Sequence, residues 1–234
     1  MGQRYSRIEG KNAREIVLLK SFPCRYGRCS FCNYILDNST DEANMLTINS
    51  ETLNQVIGVY GILEVINSGS VFEIPQKTLE EILFIAKKQN IHTIYFEIYY
   101  SYISRLQELR DMFSGINLRF RMGLETFDNE FRAKVYNKPF KLNDKDYNFL
   151  SKELYSVCIL CCVKGQTKEM IQRDIDQGLK YFKSITINIF VDNGTSVTRD
   201  TKLYTWFVSN YSHLVTHPKV ELLLDNKDLG VFEQ

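Results

Sequence analysis

Cys24, Cys29 and Cys32 lie within nine residues, in the stretch Pro23-Cys24-Arg25-Tyr26-Gly27-Arg28-Cys29-Ser30-Phe31-Cys32. Thiolates are soft ligands, and three on one loop can hold three irons of a four-iron cluster while leaving the fourth iron open to a substrate or cosubstrate. Zinc is the rival metal, because His213 or His217 could complete three thiolates into a tetrahedral site. About 180 residues separate that pair from the loop, which weighs against it. A disulfide framework is a poor reading for a chain of 234 residues that can bury its own core and whose start, Met1-Gly2-Gln3-Arg4-Tyr5, opens no signal-peptide core. The other three cysteines, Cys158, Cys161 and Cys162, sit in an apolar run. Strand alternation would put Cys158 and Cys162 on one face and Cys161 on the other, so they do not converge, and the expectation is that all three are core residues.

These residues must be positioned by an alternation of strand-like and helix-like segments. Candidate strands are 15–20, 63–67, 93–98, 118–124, 156–163 and 185–191, each short and rich in Ile, Val, Leu or aromatics. Candidate helices are 51–60, 78–89, 101–113, 128–135, 144–154 and 168–182, with Thr78-Leu79-Glu80-Glu81 reading as a capping box for the second. Such alternation builds right-handed parallel βαβ units, hence either an open doubly wound sheet or a partial (βα)6 TIM-like barrel. In 118–125, Arg119, Arg121 and Glu125 alternate with Leu118, Phe120, Met122 and Leu124, and Thr93, Tyr95 and Glu97 alternate similarly with Ile94, Phe96 and Ile98. One charged strand face favours a partial barrel with a wet lumen, the alternative being charges salt-bridged near strand ends. No Pro-, Gly- or Ser-rich linker interrupts the chain, so one domain is expected over 1–234, with a core of about 15–205 and a short C-terminal element, 206–234.

Composition narrows the function. Apolar residues make up 44% of the chain, enough for a packed core, and 29 basic residues stand against 28 acidic ones, leaving no excess charge for an extended nucleic-acid surface. No run of about 18 apolar residues occurs, so the expectation is a cytoplasmic protein with no membrane span.

At the cysteine loop the chain resembles the radical S-adenosylmethionine (SAM) superfamily, whose signature is C-x3-C-x-Φ-C with Φ aromatic. Here the pattern is C-x4-C-x-F-C, one residue longer in the first gap. Asn67-Ser68-Gly69-Ser70-Val71-Phe72 resembles the superfamily's Gly-rich loop, Gly123-Leu124-Glu125-Thr126 its G-L-E-[ST] strand end, and Phe190-Val191-Asp192 falls near its adenine-holding strand. The resemblance spans roughly 15–205. It implies a [4Fe–4S] cluster on Cys24, Cys29 and Cys32 and SAM as cosubstrate. Phe31 is implied near the adenine, with Ser68, Gly69 and Ser70 at the amine, Lys138 at the carboxylate, Glu125 toward the ribose and Lys164 on the cofactor side. Glu97 is then the catalytic candidate. Asn188, Asp192 and Asp225 become substrate candidates, although Asp192-Asn193-Gly194 and Asp225-Asn226 also read as plain turns.

The implied reaction is reductive cleavage of SAM followed by hydrogen abstraction from a small substrate, with an electron donor such as flavodoxin or ferredoxin. The short length and the S-G-S and G-L-E-T strand ends resemble the superfamily's queuine-salvage branch. That implies a deazapurine base, queuine, cleaved by a lyase reaction to 7-aminomethyl-7-deazaguanine. Two other readings stay open: a radical SAM enzyme acting on another small molecule or modified nucleoside, and a non-enzymatic zinc or iron–sulfur module.

Overall fold

The protein was analysed as a computed structural model, which describes residues 2–231. Eight strands are hydrogen-bonded in chain order: β1 (Tyr5–Ile8), β2 (Arg14–Leu19), β3 (Ile62–Asn67), β4 (Thr93–Ile98), β5 (Asn117–Glu125), β6 (Ser156–Cys161), β7 (Ser184–Ile189) and β8 (Val220–Leu223). β1 runs antiparallel to β2 across a hairpin in which Gly10 and Asn12 take φ of 75° and 58°, while β2–β3–β4 and β5–β6–β7–β8 are parallel ladders. Contacts gather into two compact units, one of the described residues up to Gly27, Tyr34–Phe120 and those from Lys227 on, the other of Arg28–Asn33 and Arg121–Asn226. None of the described helices is long and apolar enough to cross a membrane.

In the first unit, α1 (Glu42–Leu53), α2 (Gln76–Lys88) and α3 (Leu106–Met112) cover β2–β4. Leu63, Val65, Ile94 and Phe96 are buried, Phe96 meeting Phe113 edge-on at 5.3 Å. Parallel register places Ile16, Glu64 and Tyr95 in one row of the opposite face. There Arg14 forms a buried ion pair with Glu64, and Arg119 donates to the Tyr95 hydroxyl. Two expected helix starts are corrected. The segment 51–60 is not a helix of its own: α1 begins at Glu42, with the Asp41 side chain capping the Asn44 amide at 3.0 Å. Thr78 does not cap α2, which starts behind Pro75. The Thr78 hydroxyl is buried and accepts from Asn49 Nδ2 at 3.3 Å, so it has no access to a helix-end amide.

The second unit carries α4 (Asn129–Lys134), α5 (Asp144–Glu153), α6 (Lys168–Tyr181) and α7 (Thr201–Tyr211), capped in turn by Asp128, Asn143, Thr167 and Asp200. Gly178 lets α6 press on β7, since a Cβ there would lie 2.7 Å from Ile185 Cγ2. Register puts Arg121 level with Ser156, and Gly123, Cys158, Thr186 and Glu221 level with one another. Arg121 is paired with Glu221 at 3.2 Å and buried, so at this position the salt-bridged reading of the charged face holds. Cys158 is half-buried on that polar face and is not a core residue as expected, because it alternates with Val157 and Ile159 rather than sharing their side. Cys161 and Cys162 are buried. Cys162 lies past the end of β6 with φ of 66°, beyond the reach of strand alternation. Burial pushes the Cys161 thiol well up and the Cys162 thiol to about 12, which keeps both as uncharged core thiols.

Candidate active site

The loop after β2 carries Cys24, and the loop after β3 carries Ser68-Gly69-Ser70; both belong to the first unit. One buried carboxylate joins them. Glu73 Oε1 accepts from the Arg25 amide at 3.1 Å and from the Tyr102 hydroxyl at 2.9 Å, Oε2 accepts from the Ser70 amide, and the Glu73 carbonyl accepts from the Phe22 amide at 2.9 Å. Gly69 fits between: a Cβ would lie 2.7 Å from Glu73 Oε2 and 3.2 Å from Cys24 Cβ. Gly27, at φ of 56°, turns the backbone within the first cysteine gap, where the chain has its extra residue. Asn67 donates to Ser21 Oγ at 3.1 Å and to the Ser70 carbonyl at 3.0 Å, yet Asn67 Oδ1 and Ser70 Oγ are buried with no hydrogen-bond partner.

Cys29 and Cys32 belong to the second unit, where their segment is clamped mainly through its backbone. Asn137 Nδ2 donates to the Arg28 carbonyl at 2.7 Å, the Ser30 amide to the Tyr136 carbonyl at 3.1 Å, and Asn193 Nδ2 to the Phe31 carbonyl at 2.9 Å. Phe31 stands edge-on to Tyr136 at 5.3 Å, with the Lys138 ammonium 5.9 Å from its ring centre. A register irregularity between Gly123 and Glu125 ends β5, and Glu125 takes φ of 67°. Its buried carboxylate accepts from Lys138 Nζ at 2.8 Å, and the same ammonium donates to the Gly123 carbonyl at 2.6 Å.

Arg132, fully buried, staples both sides of this pair. Its guanidinium donates to the Thr126 carbonyl at 2.5 Å, the Phe140 carbonyl at 3.0 Å and Asn129 Oδ1, and its carbonyl accepts from the Lys138 amide at 3.0 Å. Asp174 Oδ1 accepts from the Phe127 amide at 2.8 Å and so holds the turn leaving β5.

The remaining candidates are spread more widely. Glu97 is half-buried, one residue short of the end of β4. Asn188, on the polar face of β7, has a buried Oδ1 without a partner. Asp192 Oδ1 accepts from the amide of Arg199, seven residues on, at 2.7 Å. Lys164 is exposed past β6, its amide donating to the Thr198 carbonyl at 2.9 Å, and Asp225 is exposed after β8. Glu73 and Arg132 are not singled out by the sequence as site residues, and Asn193 enters there only as part of the Asp192-Asn193-Gly194 segment, with no role as a clamp on the cysteine loop. A signal did exist for Glu73, since Ser70-Val71-Phe72-Glu73 has capping-box spacing.

None of the six cysteines is disulfide-bonded, and His213 and His217 are exposed or half-exposed. Among the described residues no three His, Cys, Asp or Glu side chains are arranged around a single metal ion. One zinc needs its thiolates about 4 Å apart, given zinc–sulfur bonds of about 2.3 Å, whereas a four-iron cluster takes each thiolate on a separate iron.

A cysteine loop after β2, an S-G-S loop after β3 and a G-L-E-T end to β5, on strands in chain order, define the class: an α/β partial (βα) barrel of the radical SAM type. No protein-family model matches the chain, and no curated protein does either. Among solved structures it is similar to a queuine lyase from Clostridium spiroforme bound to SAM and queuine, at 42% identity, with all of both chains covered and a TM-score of 0.95. The chain belongs to that queuine lyase family of radical SAM enzymes. It is also similar to SuiB of Streptococcus suis at 13% identity and a TM-score of 0.54, over 92% of this chain and 50% of that one, a likeness of fold alone.

Proposed function

We propose that this chain is a cytoplasmic radical SAM lyase that cleaves queuine to 7-aminomethyl-7-deazaguanine, drawing electrons from a carrier such as flavodoxin or ferredoxin. The observation that carries the reading is 42% identity over the whole chain to a lyase solved with SAM and queuine. When bound, the [4Fe–4S] cluster and SAM supply the radical hydrogen abstraction that opens the substrate.

The chain's own residues fit both groups. Cys24, Cys29 and Cys32 are half-buried thiols on one short loop, suited to three irons. Asn67 Oδ1 and Ser70 Oγ are buried acceptors in want of donors, beside a glycine whose missing Cβ leaves the backbone open, and an ammonium group brings three N–H. Lys138, fixed by Glu125 and the Gly123 carbonyl, presents a cation to the SAM carboxylate, with Glu125 toward the ribose and Phe31 toward the adenine. Asn188 Oδ1 suits an N–H on the deazaguanine edge, with Glu97 on the first unit's polar face as the catalytic candidate. Lys164, Asp192 and Asp225 are peripheral members of the proposed set.

The test is anaerobic reconstitution, reduction with dithionite and incubation with SAM with and without queuine. Queuine should raise 5′-deoxyadenosine formation and yield 7-aminomethyl-7-deazaguanine. Deoxyadenosine formation no faster with queuine than without it would refute the substrate.

A further inference from the structure

We propose that Asn38 is a positioning residue for SAM: by accepting the proton of the Ser68 hydroxyl, it turns the Ser68 oxygen into an acceptor for the cosubstrate's amine. The inference rests on the function proposed above, since it takes the S-G-S loop to hold that amine.

The direction of the hydrogen bonds beneath the loop is set at a carbonyl. Asn67 Nδ2 donates to the Ser70 carbonyl at 3.0 Å, and a carbonyl can only accept, so the same nitrogen is the donor to Ser21 Oγ at 3.1 Å. Ser21 Oγ, engaged as an acceptor, sends its own proton to Ser68 Oγ at 3.2 Å. Ser68 in turn donates to Asn38 Oδ1. Ser21, Asn67, Ser68 and Ser70 are all buried, so water has little access to these groups. One lone pair is left on Ser68 Oγ, in the same turn as Asn67 Oδ1 and Ser70 Oγ, which have no hydrogen-bond partner. The loop thus offers acceptors, and an ammonium group has three N–H to give and nothing to receive with.

Asn38 is fixed from both sides, and all of its anchors lie, like the S-G-S loop, in the first unit. Its amide donates to the Ile35 carbonyl at 3.2 Å, at the end of the 3-10 turn Tyr34–Asp37. Before it, the buried Asp37 carboxylate is clamped by Arg4, at 2.7 Å and 3.3 Å, and by the Lys20 ammonium. After it, the Ser39 amide donates to the Ser21 carbonyl at 3.1 Å. Removing the Asn38 acceptor leaves the Ser68 proton without a partner and able to turn toward the amine, where it meets a donor. The ammonium then loses one charge-assisted hydrogen bond, while the adenosine half of the cosubstrate is untouched. A loss confined to the amine separates positioning from general damage to the fold.

The experiment is equilibrium dialysis of anaerobically reconstituted Asn38→Leu, Asn38→Asp and unaltered protein against SAM and against 5′-methylthioadenosine, which keeps the adenosine but lacks the amine and carboxylate. Leu has nearly the shape of Asn and no acceptor, whereas Asp keeps an oxygen for the Ser68 proton. Asn38→Leu should bind SAM about tenfold more weakly, the effect of one lost hydrogen bond to a charged group, while its iron content and its affinity for methylthioadenosine stay unchanged. Asn38→Asp should bind SAM no more weakly than the unaltered protein does. Unchanged SAM affinity in Asn38→Leu overturns the proposal, as does an equal loss for both ligands or a loss that tracks missing iron. Asn38→Asp as weak as Asn38→Leu overturns it too. No SAM binding by the unaltered reconstituted protein refutes the proposed function itself.

Discussion

Replacing Asp174 by Asn should stabilise the protein at neutral pH and erase part of its pH dependence. Asp174 lies on α6 with Oδ1 bonded to the Phe127 amide and Oδ2 buried without a hydrogen bond. Burial lifts its carboxyl from the ordinary 3.8 to about 6, against the pull of the hydrogen bonds from the Phe127 amide and the Thr126 hydroxyl. The folded state thus holds the proton more tightly than the unfolded chain does. Stability is highest with Asp174 protonated, falls as pH climbs from about 4 through about 6, and stays lower above that, by about 3 kcal/mol in all. Asn keeps an oxygen for the Phe127 amide and carries no charge to desolvate, but its NH2 takes the place of Oδ2 at a cost of about 1–2 kcal/mol. The expected net gain at pH 7.5 is therefore about 1–2 kcal/mol, reversing in sign by pH 4. Urea denaturation of both proteins from pH 4 to pH 8 measures the difference, whose slope should be confined to the interval between about 4 and 6. A difference that is constant across the range would show that Asp174 does not ionise as its burial demands.

Lys138→Met leaves the Glu125 carboxylate buried without its cation and should cost about 3–5 kcal/mol in urea denaturation. Adding Glu125→Gln should restore most of that stability but not SAM affinity by equilibrium dialysis, and recovery of both would deny the pair a binding role. Arg132→Lys loses the planar fork that reaches three acceptors, so about 2–4 kcal/mol of stability and a weaker SAM dissociation constant are expected, with the cluster's iron content preserved. Gly69→Ala places a Cβ 2.7 Å from Glu73 Oε2 and should cost about 1–3 kcal/mol and lower SAM binding by reconstituted protein; unaltered affinity would place the S-G-S loop outside the SAM site.

What could be read from the sequence divides by the range over which each feature is encoded. The cysteine loop, the S-G-S turn and the G-L-E-T strand end are local patterns, fixed by covalent spacing, and the six expected strands stand at or within two residues of their expected bounds. The hairpin strand β1 escaped although Glu9-Gly10-Lys11-Asn12 is a turn signal, because Tyr5-Ser6-Arg7-Ile8 carries too few apolar residues to declare a strand. α1 was displaced because Asp41 caps from a polar stretch that the apolar pattern does not mark. The braces are the opposite case. Glu73 serves amides at Arg25 and Ser70, Arg132 carbonyls at Thr126 and Phe140, and Asn193 the Phe31 carbonyl, which is 162 residues away. Most of their partners are backbone groups, which carry no residue identity, so spacing could point in advance to Glu73 alone, through its capping-box interval from Ser70.

The same distinction explains how the chain departs from its superfamily's cysteine spacing. The longer first gap is a local change and meets a local remedy in Gly27, whose positive φ turns the chain with its Cβ position 3.1 Å from the Cys24 carbonyl oxygen. Arg25 and Ser30, on either side of that turn, keep their backbone bonds to Glu73 and Tyr136. The extra residue thus falls between two separately anchored points, Arg25 in the first unit and Ser30 in the second, so a change of loop length there breaks neither anchor's own bond.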